Sequence, residues 1–267
     1  MSLADVGVSV IIPVYNGERF LLEAVRNVQA QGHDRLEIIV IDDGSTDDTP
    51  VLLEGLGDQV RAARQPKSGP SVARNHGLTL SRGHFIAFHD VDDLWETGSL
   101  KTLLDAFDMH PDAEIAQGLI QRMELQRGRD SKGLEFRASG APYQFINLGS
   151  ALIRREVFHR VGLLDESLWE NEDTDWFLRA WEQNVVKIVL PRVVLYYRIH
   201  DRNLVHEQRL VAGGMPRMLK RHLDRVRRST GSGHSLPAPI FSIAAFIGSN
   251  ILPHSKPPDL PPSPADG

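Results

Sequence analysis

Residues 8–16 read Val-Ser-Val-Ile-Ile-Pro-Val-Tyr-Asn, a mostly β-branched run that ends in two polar side chains. Such a run is too short and too stiff at χ1 for a helix, so it predicts a buried strand. Apolar residues at helical spacing follow at 18–31, and a second buried run spans 36–41. Strand, helix and strand in this order indicate a parallel sheet covered by helices.

The alternation continues along the first half of the chain. The pattern predicts a strand at 60–64, a helix at 71–80, a strand at 85–88 and a helix that ends near residue 107. The second half is less regular, with predicted strands at 115–125 and 185–190. Ligands of such sheets bind beyond the carboxyl ends of the strands. Polar clusters lie at three of these ends, at residues 15–16, 42–43 and 90–93.

Composition excludes several classes of protein. The 267 residues are 41% apolar and 24% charged, and 30 basic against 35 acidic residues give a net charge of −5. This balance argues against a general nucleic-acid binder. The absence of cysteine excludes disulfides, thiolate catalysis and cysteine-ligated metal sites. The first residues do not resemble a signal peptide and no apolar run reaches about 18–20 residues, so we expect a soluble, cytoplasmic protein.

Three carboxylates follow the predicted strand at 85–88. In an extended chain Asp90 and Asp92 would point the same way, and Asp93 could add a third oxygen where the chain turns. A small number of hard oxygen ligands suits Mg²⁺ or Mn²⁺, because such an ion can complete its coordination shell with water and a diphosphate. The alternative is a solvated loop in which Asp93 caps the next helix.

The second acidic pair, Asp42-Asp43, is followed by Gly44, which favours a tight turn. A carboxylate at this strand end could accept the imide N–H of a uracil or bind a ribose hydroxyl. The spacing nearly matches the nucleophile loop of haloacid-dehalogenase-type phosphatases, but one residue between the aspartates is missing. The chain also lacks the glycine-rich dinucleotide and P-loop motifs.

Two further regions carry polar residues that suit catalysis or anion binding. Glu172 and Asp173 lie in an acidic stretch before an aromatic helix, where a carboxylate could act as general base toward a hydroxyl. The stretch is also typical of a helix N-terminus. His200 could bind a metal near a diphosphate, and the segment at 65–77 could contact an anion at the start of a helix.

Five motifs occur in order, and together they resemble glycosyltransferase family 2, an inverting family with the GT-A fold. The motifs are Val-Ile-Ile-Pro-Val-Tyr-Asn at 10–16, Asp-Asp-Gly-Ser-Thr-Asp at 42–47, Ala-Arg-Asn-His-Gly at 73–77, Phe-His-Asp-Val-Asp-Asp at 88–93 and Glu-Asp at 172–173. The resemblance extends from about residue 8 to residue 200. It departs from the family at His89, where members commonly carry leucine, and at 128–143, which matches nothing.

The resemblance implies an α/β domain of GT-A fold over residues 1–205, with a mostly parallel sheet flanked by helices. Its nucleotide-binding half would span about 1–110 and its acceptor half about 111–205. A basic and apolar C-terminal extension is predicted at 206–252, and a proline-rich, disordered tail at 253–267. The basic helix of the extension could lie on an anionic membrane surface, as suits a lipid-linked acceptor, or pack back on the domain.

Residue by residue, the resemblance and the motifs give a predicted site. Asp173 would be the catalytic base, with Glu172 as its orienting neighbour. The residues predicted to bind the nucleotide sugar are Pro13, Val14, Tyr15, Asn16, Asp43, Gly69, Arg74, Asp90 and Val91. Those predicted to bind Mn²⁺ or Mg²⁺ are Asp90, Asp92, Asp93 and His200.

The implied reaction is transfer of a sugar from a nucleotide-diphosphate donor to an acceptor hydroxyl, with inversion. UDP is favoured because Asp43 suits a uracil imide. The acceptor would be a sugar, a lipid-linked glycan or another hydroxyl compound in surface-glycan or glycolipid synthesis, at the inner membrane surface or in the cytoplasm. The alternatives are a non-catalytic nucleotide-sugar-binding module and a subunit of a glycan-assembly complex. A nucleotidyltransferase would need a glycine-rich basic loop after the first strand, which is absent.

Overall fold

The structure is a computed structural model that describes residues 7–126, 134–200 and 220–225. Its strands are β1 (Val8–Val14), β2 (Leu36–Asp42), β3 (Arg61–Arg64), β4 (Phe85–Phe88), β5 (Leu94–Trp95), β6 (Ile115–Leu125), β7 (Phe136–Ala138), β8 (Ala151–Arg154) and β9 (Lys187–Ile199). Its α-helices are α1 (Leu21–Gln29), α2 (Thr49–Leu56), α3 (Pro70–Leu80), α4 (Ser99–Met109), α5 (Arg155–Val161) and α6 (Glu172–Glu182). Short 3₁₀ turns lie at Gly57–Gln59 and Leu148–Ser150. We call the helical stretch at 220–225 the C-terminal helix.

The strands form one nine-stranded sheet in the order β3-β2-β1-β4-β8-β6-β9-β5, with β7 paired to β6. Strands β1 to β4 are mutually parallel, and β6 is parallel to β9. Strands β8 and β5 run antiparallel to their neighbours. The predicted mostly parallel α/β sheet is therefore confirmed.

Helices cover both faces of the sheet, which explains why β1 is apolar apart from Ser9. Val10 and Ile12 pack with α1 and α4 in one core cluster, whereas Ile11 packs with α3, α5 and α6 in the other. Side chains alternate across a strand, so only a strand covered on both sides needs an unbroken apolar run. The carboxyl end of β1, with Tyr15 and Asn16, is where this apolar run stops.

Most predicted elements are confirmed, and two local predictions are wrong. The chain is not extended beyond β4, because it turns at Val91 and Asp92, with the Asp93 N–H donating to the Asp90 carbonyl at 3.0 Å. Asp93 also does not cap a helix, since the residues that follow it are β5. Asp93 is instead buried, and its carboxylate accepts a hydrogen bond from the main chain of β9.

Several predictions fall on residues outside the described ranges. They are residues 128–133 of the unmatched segment 128–143, the proline-rich tail at 253–267, and all of the 206–252 extension except the C-terminal helix. Across 7–126, 134–200 and 220–225, every helix is too short or too polar to cross a membrane.

A close approach between α3 and β1 supports a first prediction. A Cβ atom at Gly77 would lie 2.3 Å from Cγ2 of Ile11. Gly77→Ala should therefore overpack this contact and lower the free energy of unfolding by about 1–3 kcal/mol in urea titration. A Cβ atom at Gly55, inside α2, would meet no atom of the other described elements within 4 Å. Gly55→Ala is the control and should raise stability by roughly 0.5–1 kcal/mol; equal effects of the two changes would contradict the overpacking argument.

Candidate active site

The polar clusters after β1, β2 and β4 meet at one edge of the sheet, because these parallel strands end side by side. Residues of α3 and of the loop before α6 close the same edge. Direct contacts at this edge join sequence-predicted residues from distant positions, such as Asp92 and His200, which are 108 residues apart.

Asp43 forms the floor of the first part of the site and is 5% exposed. Its Oδ1 accepts hydrogen bonds at 2.8 Å from the Gln65 side chain and the Ser68 N–H, and its Oδ2 accepts one at 2.8 Å from the Gly69 N–H. A carboxylate offers about four acceptor positions. One position of Asp43 therefore remains for a ligand N–H or hydroxyl.

Tyr15 and Asn16 form the wall next to Asp43. The Nζ of Lys67 lies 3.5 Å from the Tyr15 ring centroid, so one face of this half-exposed ring is covered by a cation. Asn16 Oδ1 accepts the Thr46 N–H at 2.8 Å, which fixes the neighbouring turn. Lys67 was predicted only as an anion contact.

The side chains of Val14 and Val91 pack against the core cluster that contains α1. A Cβ atom at Gly17 would lie 2.4 Å from Val14 and 3.3 Å from Val91, so these side chains fill the space beneath the chain. Pro13, in the same strand, is half-buried. Any contact of Val14 with a ligand would therefore involve its main chain, whereas the half-buried Val91 keeps part of its side chain exposed.

Arg74 joins the two acidic motifs. Its Nη2 donates to Asp90 Oδ1 at 2.5 Å, and its Nη1 donates to Glu172 Oε1. Burial opposes the charge on Arg74, but Asp90 and Glu172 raise its pKa above the ordinary value. The guanidinium therefore stays charged and fixes both carboxylates by charge-assisted hydrogen bonds.

Asp92 and Asp93 point to different surroundings. Asp92 Oδ2 lies 3.1 Å from Nε2 of His200. Asp93 is 1% exposed, and its Oδ1 accepts the Arg198 N–H at 2.9 Å. Burial, followed by the charges of Asp92 and Asp90, raises the pKa of Asp93 well above its ordinary value. The carboxyl groups of Asp90, Asp92 and Asp93 therefore lie close enough to interact with one another.

Arg198 holds the turn that carries Asp92. Its guanidinium donates to the main-chain carbonyl of Asp92 and, at 2.6 Å, to Glu23 on α1. The rings of Phe20 and Phe136 each lie 5.0 Å from its Cζ atom. Arg198 is 3% exposed and therefore braces the site from inside the fold.

Asp173 lies in the first turn of α6 and is half-buried. Its Oδ1 accepts the N–H of Thr174 at 2.6 Å. Burial and the charge of Glu172 raise the pKa of Asp173 to about 7, although Arg74 lowers it in part. A carboxylate with a pKa near neutrality is suited to accept a proton from a hydroxyl.

Helix α3 positions the loop before α6, which the sequence did not predict. Asn75 Nδ2 donates to the Leu164 carbonyl at 2.9 Å, and its Oδ1 accepts the Leu164 N–H at 3.0 Å. The Ser71 hydroxyl donates to the Leu168 carbonyl at 2.7 Å. Asn75 belongs to the segment 65–77, for which an anion contact stays a prediction; in the structure its amide fixes this loop. The only sequence feature that could have indicated this contact is the spacing of Ser71 and Asn75, which are four residues apart and therefore share one helix face.

The C-terminal helix packs against the acidic end of this region. Arg221 pairs with Asp165 at 2.5 Å, and Arg225 pairs with Asp175 and Glu182 at 3.2 and 2.8 Å. Of the two arrangements predicted for the basic helix, packing back on the domain is the one found for residues 220–225. Membrane association of the extension stays a prediction.

Comparison with known proteins gives three kinds of similarity. A sequence model of Glycosyl transferase family 2 matches residues 9–162. An uncharacterised glycosyltransferase of Nostoc sp. is 28% identical over 225 residues, which cover 73% of this chain and 66% of the relative. The minor teichoic acid biosynthesis protein GgaA of Bacillus subtilis is 30% identical over 186 residues, which cover 63% of this chain and 42% of GgaA.

Two solved structures have similar folds. The crystal structure of S. aureus TarS 1-349 in complex with UDP-GlcNAc gives a TM-score of 0.58 at 23% identity, covering 74% of this chain and 60% of the TarS 1-349 chain. The mannosyltransferase from Pyrobaculum calidifontis in complex with GDP-Man and Mn²⁺ gives 0.55 at 19% identity, covering 73% and 58%. These likenesses confirm the predicted GT-A fold. The chain spans less than two thirds of each of these four proteins.

Proposed function

The chain belongs to glycosyl transferase family 2, and from that premise we propose that it transfers a sugar from a UDP-sugar donor to a hydroxyl group of a cell-surface glycan acceptor. The observation that carries the proposal is the contact of Arg74 with both Asp90 and Glu172. This contact joins the motif assigned to the donor with the motif assigned to the catalytic base. Arg74 would then hold the donor-binding carboxylate and the neighbour of the catalytic base at a fixed distance from each other.

In this proposal the nucleoside binds between Tyr15 and Asp43. The remaining acceptor position of Asp43 would take the imide N–H of uracil. The base would stack on Tyr15 after displacing the Lys67 ammonium from the ring. The TarS complex with UDP-GlcNAc supports UDP as the nucleotide. Because the mannosyltransferase complex contains GDP-Man, the binding experiment below also includes GDP.

The residues present fit a divalent cation held by two protein ligands, Asp92 and His200. Their side chains lie 3.1 Å apart, and a cation there would offset the charges of Asp92 and Asp90, which after burial are the causes that raise the pKa of the adjacent Asp93. Within the described ranges no three carboxylate or imidazole groups converge on one point. Two protein ligands with water and a diphosphate are the usual arrangement for Mg²⁺ and Mn²⁺. Such a cation would stabilise the charge that develops on the leaving diphosphate.

The chemical step would be a single displacement. The acceptor oxygen forms a bond to the anomeric carbon while the bond from that carbon to the diphosphate oxygen breaks, and its electron pair leaves with the diphosphate. Asp173 takes the proton of the acceptor hydroxyl, and Glu172, held by Arg74, keeps the first turn of α6 in place. One attack on the opposite face inverts the anomeric centre.

The acceptor class is supported by one relative. GgaA of Bacillus subtilis is named for minor teichoic acid biosynthesis. Because the chain covers 42% of GgaA, the likeness supports the broader class of cell-surface glycans and leaves the individual polymer to experiment.

Calorimetric titration of UDP, GDP and dTDP, each with and without Mn²⁺, tests the donor assignment. UDP should bind, and Mn²⁺ should tighten its binding by about tenfold or more. Asp92→Asn should lose this enhancement, because it removes a carboxylate from the proposed cation pair. Asp105→Asn, an exposed carboxylate on α4, is the control. Absence of binding to all three nucleotides would refute the proposed function.

The pKa of Asp173 predicts opposite pH dependences for activity and stability. The base must be ionised, so kcat/KM should fall about tenfold per pH unit below pH 7 and level off above it. Because folding raises the pKa of Asp173 from 3.8 to about 7, the native state holds a proton that the unfolded chain has lost. Its stabilising contribution is full below pH 3.8 and is lost as the pH rises through 7. A pH–rate profile without a limb near neutrality would contradict this assignment.

A further inference from the structure

Trp169 is a large apolar side chain that the proposed reaction does not use. It is 55% exposed, although it lies only four positions before Asp173. The other described tryptophans, Trp95, Trp176 and Trp181, lie wholly or partly in the core or against it. A single exposed apolar side chain is common on protein surfaces, so the case for a role of Trp169 rests on its neighbours.

The position of Trp169 is fixed from below. A Cβ atom at Gly69 would lie 3.2 Å from Cε2 and 3.3 Å from Cδ2 of Trp169, so the indole rests directly on this glycine. The Ser71 hydroxyl fixes the preceding carbonyl, that of Leu168, at 2.7 Å. The indole is thus ordered before any ligand binds, which lowers the entropy cost of stacking on it.

The surroundings of Trp169 place it between the two halves of the site. On one side, the Gly69 N–H donates to Asp43, the residue assigned to the nucleobase. On the other side, the same loop continues into Glu172 and Asp173. Asp43 is 5% exposed and lies on the floor, whereas the indole is at the rim. The loop that carries Trp169 continues into Asp173, the proposed base for the acceptor hydroxyl, which favours the acceptor as the stacking ligand.

We propose that the exposed face of Trp169 is a stacking platform for a pyranose ring of the acceptor. The inference rests on the proposed function and names the substrate class of that site. The axial C–H groups on one face of a pyranose carry partial positive charge and pack against the negative face of an indole. The sugar hydroxyls at the ring edge stay free, so one of them can reach the Asp173 carboxylate.

The test follows the indole ¹H–¹⁵N resonance of Trp169, assigned with Trp169→Phe, during titration with methyl pyranosides of glucose, galactose and N-acetylglucosamine. Titrations are done with and without saturating UDP and Mn²⁺. At least one pyranoside should shift this resonance saturably. Trp169→Ala should weaken that pyranoside's binding, measured by saturation-transfer NMR, by about tenfold or more. Met109→Ala, which removes another exposed apolar side chain, at the end of α4, should leave it unchanged.

Two results would overturn the inference, and a comparison of nucleotide with pyranoside binding separates its failure from that of the proposed function. If no pyranoside shifts the Trp169 resonance, the platform does not exist. If Trp169→Ala weakens UDP binding by about tenfold in calorimetry, the indole covers the nucleobase and the acceptor assignment is wrong. If the wild-type chain binds UDP but no pyranoside, only this inference fails; if it binds no nucleotide, the proposed function fails separately.

Discussion

Asp173→Asn is expected to lower kcat for sugar transfer by roughly 10²–10⁴-fold while leaving UDP affinity within about twofold. The amide keeps the size and the hydrogen bond to Thr174 but cannot accept a proton at neutral pH. Because Asp173 lies in α6, away from the Asp43 end of the site, the nucleotide should still bind. Transfer is measured as release of UDP with acceptor present, and affinity by calorimetry.

Glu170→Gln is the matched control for this change. Glu170 lies three residues before Asp173, is half-buried and loses the same charge, but it precedes α6. It should retain most of the activity. Loss of UDP binding in Asp173→Asn would mean that Asp173 belongs to the donor site, and full activity would mean that another group takes the proton.

Arg74→Met is expected to lower the free energy of unfolding by about 3–5 kcal/mol and to abolish transfer. The change leaves the Glu172 carboxylate, whose side chain is 10% exposed, without its cation in the interior. It also releases Asp90 from the position in which the donor motif is held. Stability is measured by urea unfolding at pH 7, and UDP binding by calorimetry.

Two variants make this result interpretable. Lys101→Met breaks the exposed pair of Lys101 and Asp105, with side chains 75% and 50% exposed, and should cost less than about 1 kcal/mol. Arg74→Lys keeps the charge but can no longer bridge two carboxylates with a planar fork, so we expect intermediate stability and poor transfer. A cost for Arg74→Met no larger than that for Lys101→Met would show that the Asp90–Arg74–Glu172 contact does not hold the site together.

The sequence predicted those parts of the fold that depend on local patterns. The mostly apolar runs of β1 and β2, interrupted only at Ser9 and Glu37 before their polar ends, identify strands covered on both faces. The polar residues that end these runs identify the edge where Tyr15 and Asp43 meet. The acidic start of α6 was also readable, because carboxylates favour a helix N-terminus.

The contacts that join these parts depend on tertiary packing and were not predictable from local patterns. Arg74 and Glu172 are 98 residues apart, and Asp92 and His200 are 108 residues apart. The turn at Val91 was not predicted either. It separates the side-chain directions of Asp90 and Asp92, which would be the same only in an extended chain. Strand β5 has two residues and exists because β9 pairs with it, so no periodicity could reveal it.

The strand order also limits how this chain can be divided or recombined. Strand β4 pairs with β8, and the two-residue β5 lies at the far end of the sheet beside β9, so the first 110 residues contribute to both ends of it. A chain cut near residue 110 would give one fragment with the edge of β4 unpaired and another with the edges of β8 and β9 unpaired. Open apolar edges of this kind promote aggregation. Chimaeras that exchange acceptor specificity between relatives are therefore better built from surface loops than by fusing half-domains.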